Sequence, residues 1–195
     1  MEQIRSFIAI ELPREVKQGL GMLVERLRGG GYPVVKWVEP EGIHLTLKFL
    51  GDIASDKLPE IIRATGEAAQ GISPFAVEIS GLGTFPSWQQ PRVVWLGVKG
   101  EANQLADLQK NIDAALAPLG FPPESRSFTP HLTLARVRER AKAGERQEFG
   151  NWLRSAKFDS RLDFTVNAIS LMKSELTLQG AIYTRLACID LIQIG

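Results

Sequence analysis

The sequence predicts an α+β protein that consists of two similar lobes related by an internal duplication. Strand and helix patterns follow one another in the same order in both halves of the chain, and one tetrapeptide occurs once in each half. The chain has 195 residues, of which 44% are hydrophobic and 23% charged. This is ordinary globular usage. We therefore expect a single domain over residues 1–195, with intertwined lobes of approximately 1–90 and 91–195.

The first half of the chain alternates strand and helix patterns. Pro13 stands where a helix begins, apolar residues then recur at helical spacing, and a run of glycines ends that pattern. Apolar and polar residues alternate over 44–50, as in a half-buried strand. The elements predicted here are strands at 6–12, 34–38, 44–50 and 75–82, and helices over 14–28 and 58–65.

The second half repeats this order. An amphipathic pattern over 105–119 ends at Gly120, and a charged stretch over 138–148 is typical of a loop and part of a helix. No low-complexity linker separates the halves, so we expect them to pack as one unit. The strands predicted here are 93–98, 130–136, 164–172 and 181–192.

Composition excludes several classes of function. The net charge of +1 lacks the basic excess of a protein that binds long duplex nucleic acid. One cysteine and two histidines cannot form a disulfide or a Cys/His zinc cluster, and we expect Cys188 to be a buried, reduced thiol. No apolar run is long enough for a membrane span or a signal peptide, which predicts a cytoplasmic protein without a membrane partner.

Both histidines of the chain begin the same tetrapeptide, and the two copies lie nearly half the chain apart. Given one copy, composition alone would place the second histidine before Leu-Thr-Leu roughly once in two thousand cases. The repeat therefore indicates function. The two copies are His44-Leu45-Thr46-Leu47 and His131-Leu132-Thr133-Leu134.

The spacing of the motif has a direct physical meaning. Side chains alternate across a strand, so each His shares one face with the Thr two positions later, and the leucines point to the other face. Two such faces in one cleft would hold a phosphate between two hydroxyls and two imidazoles. Imidazole transfers protons near neutral pH, so one ring can act as base and the other as acid without a metal or cofactor. The spacing does not decide which ring does which.

The two motifs and their flanks resemble the 2H phosphoesterase superfamily. They are most similar to the bacterial and archaeal RNA 2′,3′-cyclic phosphodiesterases, also described as 2′-5′ RNA ligases. The similarity covers essentially the whole chain. It is carried by the segments 5–10, 36–38, 44–51, 91–97 and 128–136, and by Ser174-Glu175-Leu176 with Gly180 and Tyr183.

This resemblance implies two antiparallel sheets around a central cleft, with helices outside. It also implies metal-independent hydrolysis of an RNA or nucleoside 2′,3′-cyclic phosphate to a 2′-phosphomonoester. By the same resemblance, His44 is the proton donor, His131 is the proton acceptor, and the reverse reaction is 2′-5′ RNA ligation without ATP. Thr46 and Thr133 are expected to bind the substrate phosphate.

Further residues are candidates for substrate binding. Lys48 shares the His44 face by simple alternation, whereas Arg136 does not clearly share the His131 face and would reach the phosphate through its long side chain. The alternative for Arg136 is a solvated surface position, and the alternative for Lys48 is a position at the rim of the cleft. Aromatic residues can stack a base, although most strand aromatics belong to cores. The aromatic candidates are Phe7, Trp37, Phe49, Trp95 and Tyr183.

Two other functions remain open from the sequence. The first is a 2H enzyme for another cyclic phosphate or for 2′-5′-linked oligonucleotides, because pocket walls decide the substrate. The second is a noncatalytic protein that binds RNA ends, although such a protein has no need for two titrating groups at the phosphate. The expected partners are RNA 2′,3′-cyclic phosphate ends or cyclic nucleotides, and we expect the protein to be a monomer.

Overall fold

The computed structural model of the protein describes residues 2–100, 103–156, 162–177 and 180–192. Four α-helices and nine strands lie within these ranges. The helices are α1 (Arg14–Arg28), α2 (Leu58–Ala69), α3 (Gln104–Leu116) and α4 (Ala143–Ser155). The strands are β1 (Gln3–Glu11), β2 (Val35–Trp37), β3 (His44–Ala54), β4 (Phe75–Phe85), β5 (Val93–Gly100), β6 (His131–Val137), β7 (Leu162–Val166), β8 (Ala168–Leu176) and β9 (Ala181–Asp190).

The strands form one antiparallel sheet in the order β7-β4-β5-β6-β3-β1-β8-β9, and β2 pairs with β6. At its centre, β3 and β6 pair through Leu45 and Leu132. We call this line of contact the seam. On one side of the seam lies the first half-sheet, β3-β1-β8-β9, and on the other side lies the second half-sheet, β6-β5-β4-β7 with β2. The predicted α+β class with antiparallel sheets and helices is confirmed, with the two sheets joined at the seam.

The half-sheets do not coincide with the halves of the sequence. Strand β4 comes from the first half of the chain but pairs with β5 and β7 in the second half-sheet. Conversely, β8 and β9 come from the end of the chain and extend the first half-sheet beyond β1. The expected lobe boundary near residue 90 is therefore wrong, because each half of the chain gives strands to the other half-sheet.

The helices pack their apolar sides into the core formed with the buried side of the sheet. In α1 these residues recur every three or four positions, and the helix ends at Gly29, as the sequence predicts. The leucines of the two motifs lie in the same core. In the described part of the chain, no helix is long and apolar enough to cross a membrane. The buried residues of α1 are Val16, Leu20, Leu23, Val24 and Leu27.

The C-terminal strands differ from expectation in two ways. The pattern over 164–172 is divided between β7 and β8, which are separated at Asn167 and belong to different half-sheets. Cys188 is exposed, so the expectation of a buried thiol is wrong. The reason is that β9 is an edge strand, paired only with β8.

Candidate active site

The seam brings together the four residues that the two motifs predict. Within the described residues, β3 and β6 begin with the same burial pattern, in which both leucines are buried while His and Thr stay partly accessible. Leu45 is opposite Leu132 in an antiparallel register, which places His44 across from Thr133 and Thr46 across from His131. Two His/Thr pairs thus share one face, about a pseudo-two-fold axis through the leucine pair.

Each imidazole is held by the backbone in the same way. Nδ1 of His44 lies 2.9 Å from the Gly42 carbonyl oxygen, and Nδ1 of His131 lies 2.7 Å from the Thr129 carbonyl oxygen. A carbonyl oxygen only accepts, so Nδ1–H donates to it and the neutral ring keeps its lone pair on Nε2. Neither Thr hydroxyl of the motifs bonds to another described residue. Two Nε2 atoms and two hydroxyls are therefore free for a ligand.

His44 is enclosed by aromatic rings. Phe7 stacks on it with ring centroids 4.7 Å apart, and the edge of Tyr183 approaches it at 4.8 Å. Burial lowers the pKa of His44 to about 4, although the Gly42 carbonyl and Glu11 oppose this shift. Phe7 and Tyr183, both candidates from the sequence, thus lie at the site and shape the chemistry of His44.

His131 has a more open environment. Phe85 meets it edge-on with centroids 5.1 Å apart, and Trp95 is at 6.2 Å. Trp95 lies over Gly83, where an added Cβ would overlap the indole ring. Identical motifs therefore have different neighbours on the two sides of the seam.

A β-bulge changes which residues follow the motif on the same face. In β3, Thr46 pairs with Ala9 but Lys48 pairs with the next residue, Ile8, so one extra residue is inserted. As a result Lys48 turns into the core, where it is 3% exposed. It forms an ion pair with Asp113 of α3 and donates to the Pro122 carbonyl at 3.0 Å. The expectation that Lys48 faces the substrate is wrong.

The second motif has the same bulge, with the opposite consequence for Arg136. Thr133 pairs with Trp95 and Ala135 with Val94, so Ala135 takes the buried position equivalent to that of Lys48. Arg136 is exposed, and it is close enough to lower the pKa of His44 and to oppose the burial that raises the pKa of Tyr183. The bulge therefore brings Arg136 to the site.

Phe49 occupies the position in β3 that Arg136 occupies in β6. It is 64% exposed, and its ring lies 6.3 Å from that of Phe7. Trp37, in contrast, is partly buried on the core side of the sheet, opposite Ala135, and packs against Phe149 of α4 with centroids 6.5 Å apart. It does not share the face of the site, so the expectation of a stacking surface there is wrong.

Glu11 is a site neighbour that sequence reasoning missed. It lies directly across from His44 in the β1–β3 pair. Its Oε1 accepts hydrogen bonds from Arg185 and Ser170, both at 2.6 Å, and these outweigh the effect of burial and lower the pKa of Glu11. Its position depends on strand register between distant segments, which no local pattern shows.

The residues at the seam provide two imidazoles and two hydroxyls for acid/base chemistry. Across the residues described by the structure, no cluster of three or more His, Cys, Asp or Glu side chains could hold a metal ion. The arrangement can bind an oxyanion between two hydroxyls and move protons at two Nε2 atoms.

A sheet with two pseudo-symmetric His/Thr pairs at its centre defines the class of the protein as a 2H phosphoesterase. The chain matches the 2′-5′ RNA ligase superfamily over residues 15–177. The protein belongs to this family, as its motifs suggest.

Relatives and solved structures agree with this assignment. An RNA 2′,3′-cyclic phosphodiesterase of Methanothermobacter thermautotrophicus is 36% identical over 182 residues, which cover 93% of this chain and 96% of the relative. One from Aquifex aeolicus is 39% identical over 150 residues, with 76% and 78% covered. The crystal structure of TT0787 of Thermus thermophilus matches with a TM-score of 0.76 and 29% identity, covering 96% of this chain and 98% of that one. Escherichia coli LigT with 3′-AMP, at 24% identity and a TM-score of 0.74, shares the fold over 98% of this chain and all of its own.

Proposed function

We propose that the protein hydrolyses the 2′,3′-cyclic phosphate at the end of an RNA or nucleoside and leaves a 2′-phosphomonoester. The observation that carries this proposal is the seam, where each His faces the Thr of the other motif. The names of the relatives, RNA 2′,3′-cyclic phosphodiesterase, point to the same substrate.

In the proposed reaction, Thr46 and Thr133 donate hydrogen bonds to the non-bridging phosphate oxygens. Nε2 of His131 accepts a proton from the attacking water as its oxygen bonds to phosphorus. The bond between phosphorus and the 3′-oxygen breaks, and Nε2 of His44 donates a proton to that oxygen. This assignment of donor and acceptor follows the family resemblance. With a 5′-hydroxyl in place of water as the nucleophile, the same displacement opens the cyclic phosphate and forms a 2′-5′ linkage, again with the 3′-oxygen as the leaving group.

The low pKa of His44 has a consequence for this role. A proton donor must be protonated when the bond breaks, yet at neutral pH a group with a pKa of about 4 is neutral. An anionic phosphate beside the ring favours its charged form and raises its pKa. Substrate binding and proton uptake by His44 are therefore coupled in this proposal.

We also propose that the protein acts as a monomer in the cytoplasm. One chain supplies both His/Thr pairs of the site, so a second copy is unnecessary. The cytoplasmic location is proposed because RNA is the expected substrate. Sedimentation equilibrium at micromolar concentrations tests the monomer, and a larger species that is required for activity would contradict it.

The deciding experiment is an activity assay with the four nucleoside 2′,3′-cyclic phosphates and a short RNA with that end, in the presence of EDTA. We expect 2′-phosphate products, and a loss of at least about a hundredfold in kcat for His44→Asn and for His131→Asn. Thr46→Val removes the hydroxyl of the first motif, and Thr46→Ser, which keeps that hydroxyl, is its matched control.

Each alternative has its own outcome in this assay. Turnover only of another cyclic phosphate or of 2′-5′-linked oligonucleotides would replace the proposed substrate. Binding of the RNA end without turnover would indicate a noncatalytic protein. Activity that disappears with EDTA would contradict the metal-independent mechanism.

A further inference from the structure

A third pair of facing residues lies along β6, beyond the two His/Thr pairs. Strand β3 leaves β6 after the seam, and β2 takes its place as the neighbouring strand. In this pairing Lys36 of β2 is directly opposite Arg136 of β6. The face of the site thus has three successive pairs across the two sides of the seam. They are Thr46 with His131, His44 with Thr133, and Lys36 with Arg136.

Lys36 points to the same face as Arg136, because directly opposite residues in an antiparallel pair lie on one side of the sheet. The flanking residue Val35 is buried and Trp37 packs into the core, so alternation directs Lys36 outward. Both cations are exposed, and neither forms an ion pair with another described residue.

Two like charges directly opposite each other repel, and an anion bound between them removes this cost. The pair lies three residues from Thr133 along a bulged strand, which corresponds to roughly 7–10 Å. This is the scale of one nucleotide of RNA backbone. At the other end of the seam the equivalent of Arg136 is the apolar Phe49, so the pseudo-two-fold does not repeat this facing pair of cations.

We propose that Lys36 and Arg136 bind the phosphodiester that precedes the terminal nucleotide of the RNA. This inference rests on the proposed function and adds a specificity site to it. The enzyme therefore prefers a cyclic phosphate at the end of an oligonucleotide to the same group on a single nucleoside, and the RNA runs from the reacting phosphate past His44 toward β2.

Three substrates with the same terminal nucleotide test the proposal: a nucleoside 2′,3′-cyclic phosphate, a dinucleotide with that end, and the same dinucleotide with a neutral methylphosphonate linkage. The native enzyme should have its highest kcat/KM on the charged dinucleotide. In Lys36→Gln this value should fall by roughly three- to tenfold, with little change for the other two substrates. For the charged dinucleotide, the slope of log kcat/KM against log salt should become shallower by about 0.7.

The control is Lys110→Gln, which removes the same charge from the exposed side of α3 and should change none of the three values. Equal losses on all three substrates would mean that Lys36 acts on the reacting phosphate or on the fold, and no loss would mean that it binds nothing. Either result overturns the inference. If the native enzyme turns over no cyclic phosphate at all, the proposed function itself fails.

Discussion

The pKa of His44 should lie far below its usual range in the free enzyme and should rise toward that range when a phosphate binds. Phe7 and Tyr183 exclude water from the ring, and its Nδ1–H is already committed to the Gly42 carbonyl. Glu11, across from His44, partly offsets this enclosure with its negative charge. The variant Glu11→Gln keeps the shape of the side chain, removes the charge and should lower the pKa of His44 further.

The magnitude follows from the pKa of about 4 against 6.5 for a free imidazole. A tenfold change in a protonation constant corresponds to about 1.4 kcal/mol, so protonation of His44 is about 3 kcal/mol less favourable than in water. About one molecule in a thousand carries this proton at pH 7. A bound phosphate must contribute a similar free energy to make His44 a proton donor.

The same shift predicts how stability depends on pH. Between about pH 6.5 and 4 the unfolded chain binds a proton at His44 that the folded protein does not, so the free energy of unfolding falls as the pH falls. The loss attributable to His44 is absent above pH 7 and reaches about 3 kcal/mol near pH 4. His44→Gln should remove this part of the pH dependence, as urea unfolding at several pH values would show.

The pKa of His44 can be measured by an NMR titration of protein labelled at histidine. The chain contains two histidines, so two imidazole signals appear, and His131→Asn identifies the signal of His44. Addition of inorganic phosphate should move the His44 midpoint upward in the native protein. A His44 midpoint near 6.5 in the free enzyme, or a midpoint that phosphate leaves unchanged, would refute this account of the enclosure.

Two predictions concern the fold that supports the site. Lys48→Met leaves Asp113 without its ion-pair partner and should lower the free energy of unfolding by about 3 kcal/mol, and Lys48→Met with Asp113→Leu should recover most of this loss. In α4, Gly150→Ala should cost more than about 2 kcal/mol, because the new Cβ would overlap the Trp88 carbonyl oxygen. Gly144→Ala, in the same helix with nothing within 4 Å of the new Cβ, should be neutral or stabilising by up to about 1 kcal/mol. Urea denaturation measures both sets, and equal effects of the two glycine variants would contradict the steric argument.

The placement of His and Thr on one face of each strand could be predicted from the sequence because its signal is local. His and Thr two positions apart must share a strand face, and buried leucines between them fix which face that is. The spacing of apolar residues was equally sufficient to predict helix α1. These features depend on the geometry of one element and need no knowledge of its neighbours.

The errors all come from information that lies between elements. Alternation placed Lys48 with His44 and left Arg136 uncertain, but a bulge reverses both positions, and a bulge is defined only by the partner strand. Trp37 packs against the core because β2 joins β6, and Cys188 is exposed because β9 is an edge strand. The exchange of strands between the half-sheets likewise depends on pairings between distant segments, which a single sequence does not show.

The two identical motifs have unequal surroundings, and this difference bears on which imidazole donates and which accepts in the proposed reaction. A symmetric site would offer two equivalent imidazoles, whereas hydrolysis needs one donor and one acceptor at the same time. Phe7 and Tyr183 close one side, around His44, and the equivalent of Glu11 beside His131 is Gly97, which has no side chain. The open side gives water access to His131, and the closed side shelters the leaving oxygen beside His44. Water access to His131 agrees with the acceptor role that the family resemblance implies, whereas the low pKa of His44 opposes its implied donor role until an anionic phosphate raises that pKa.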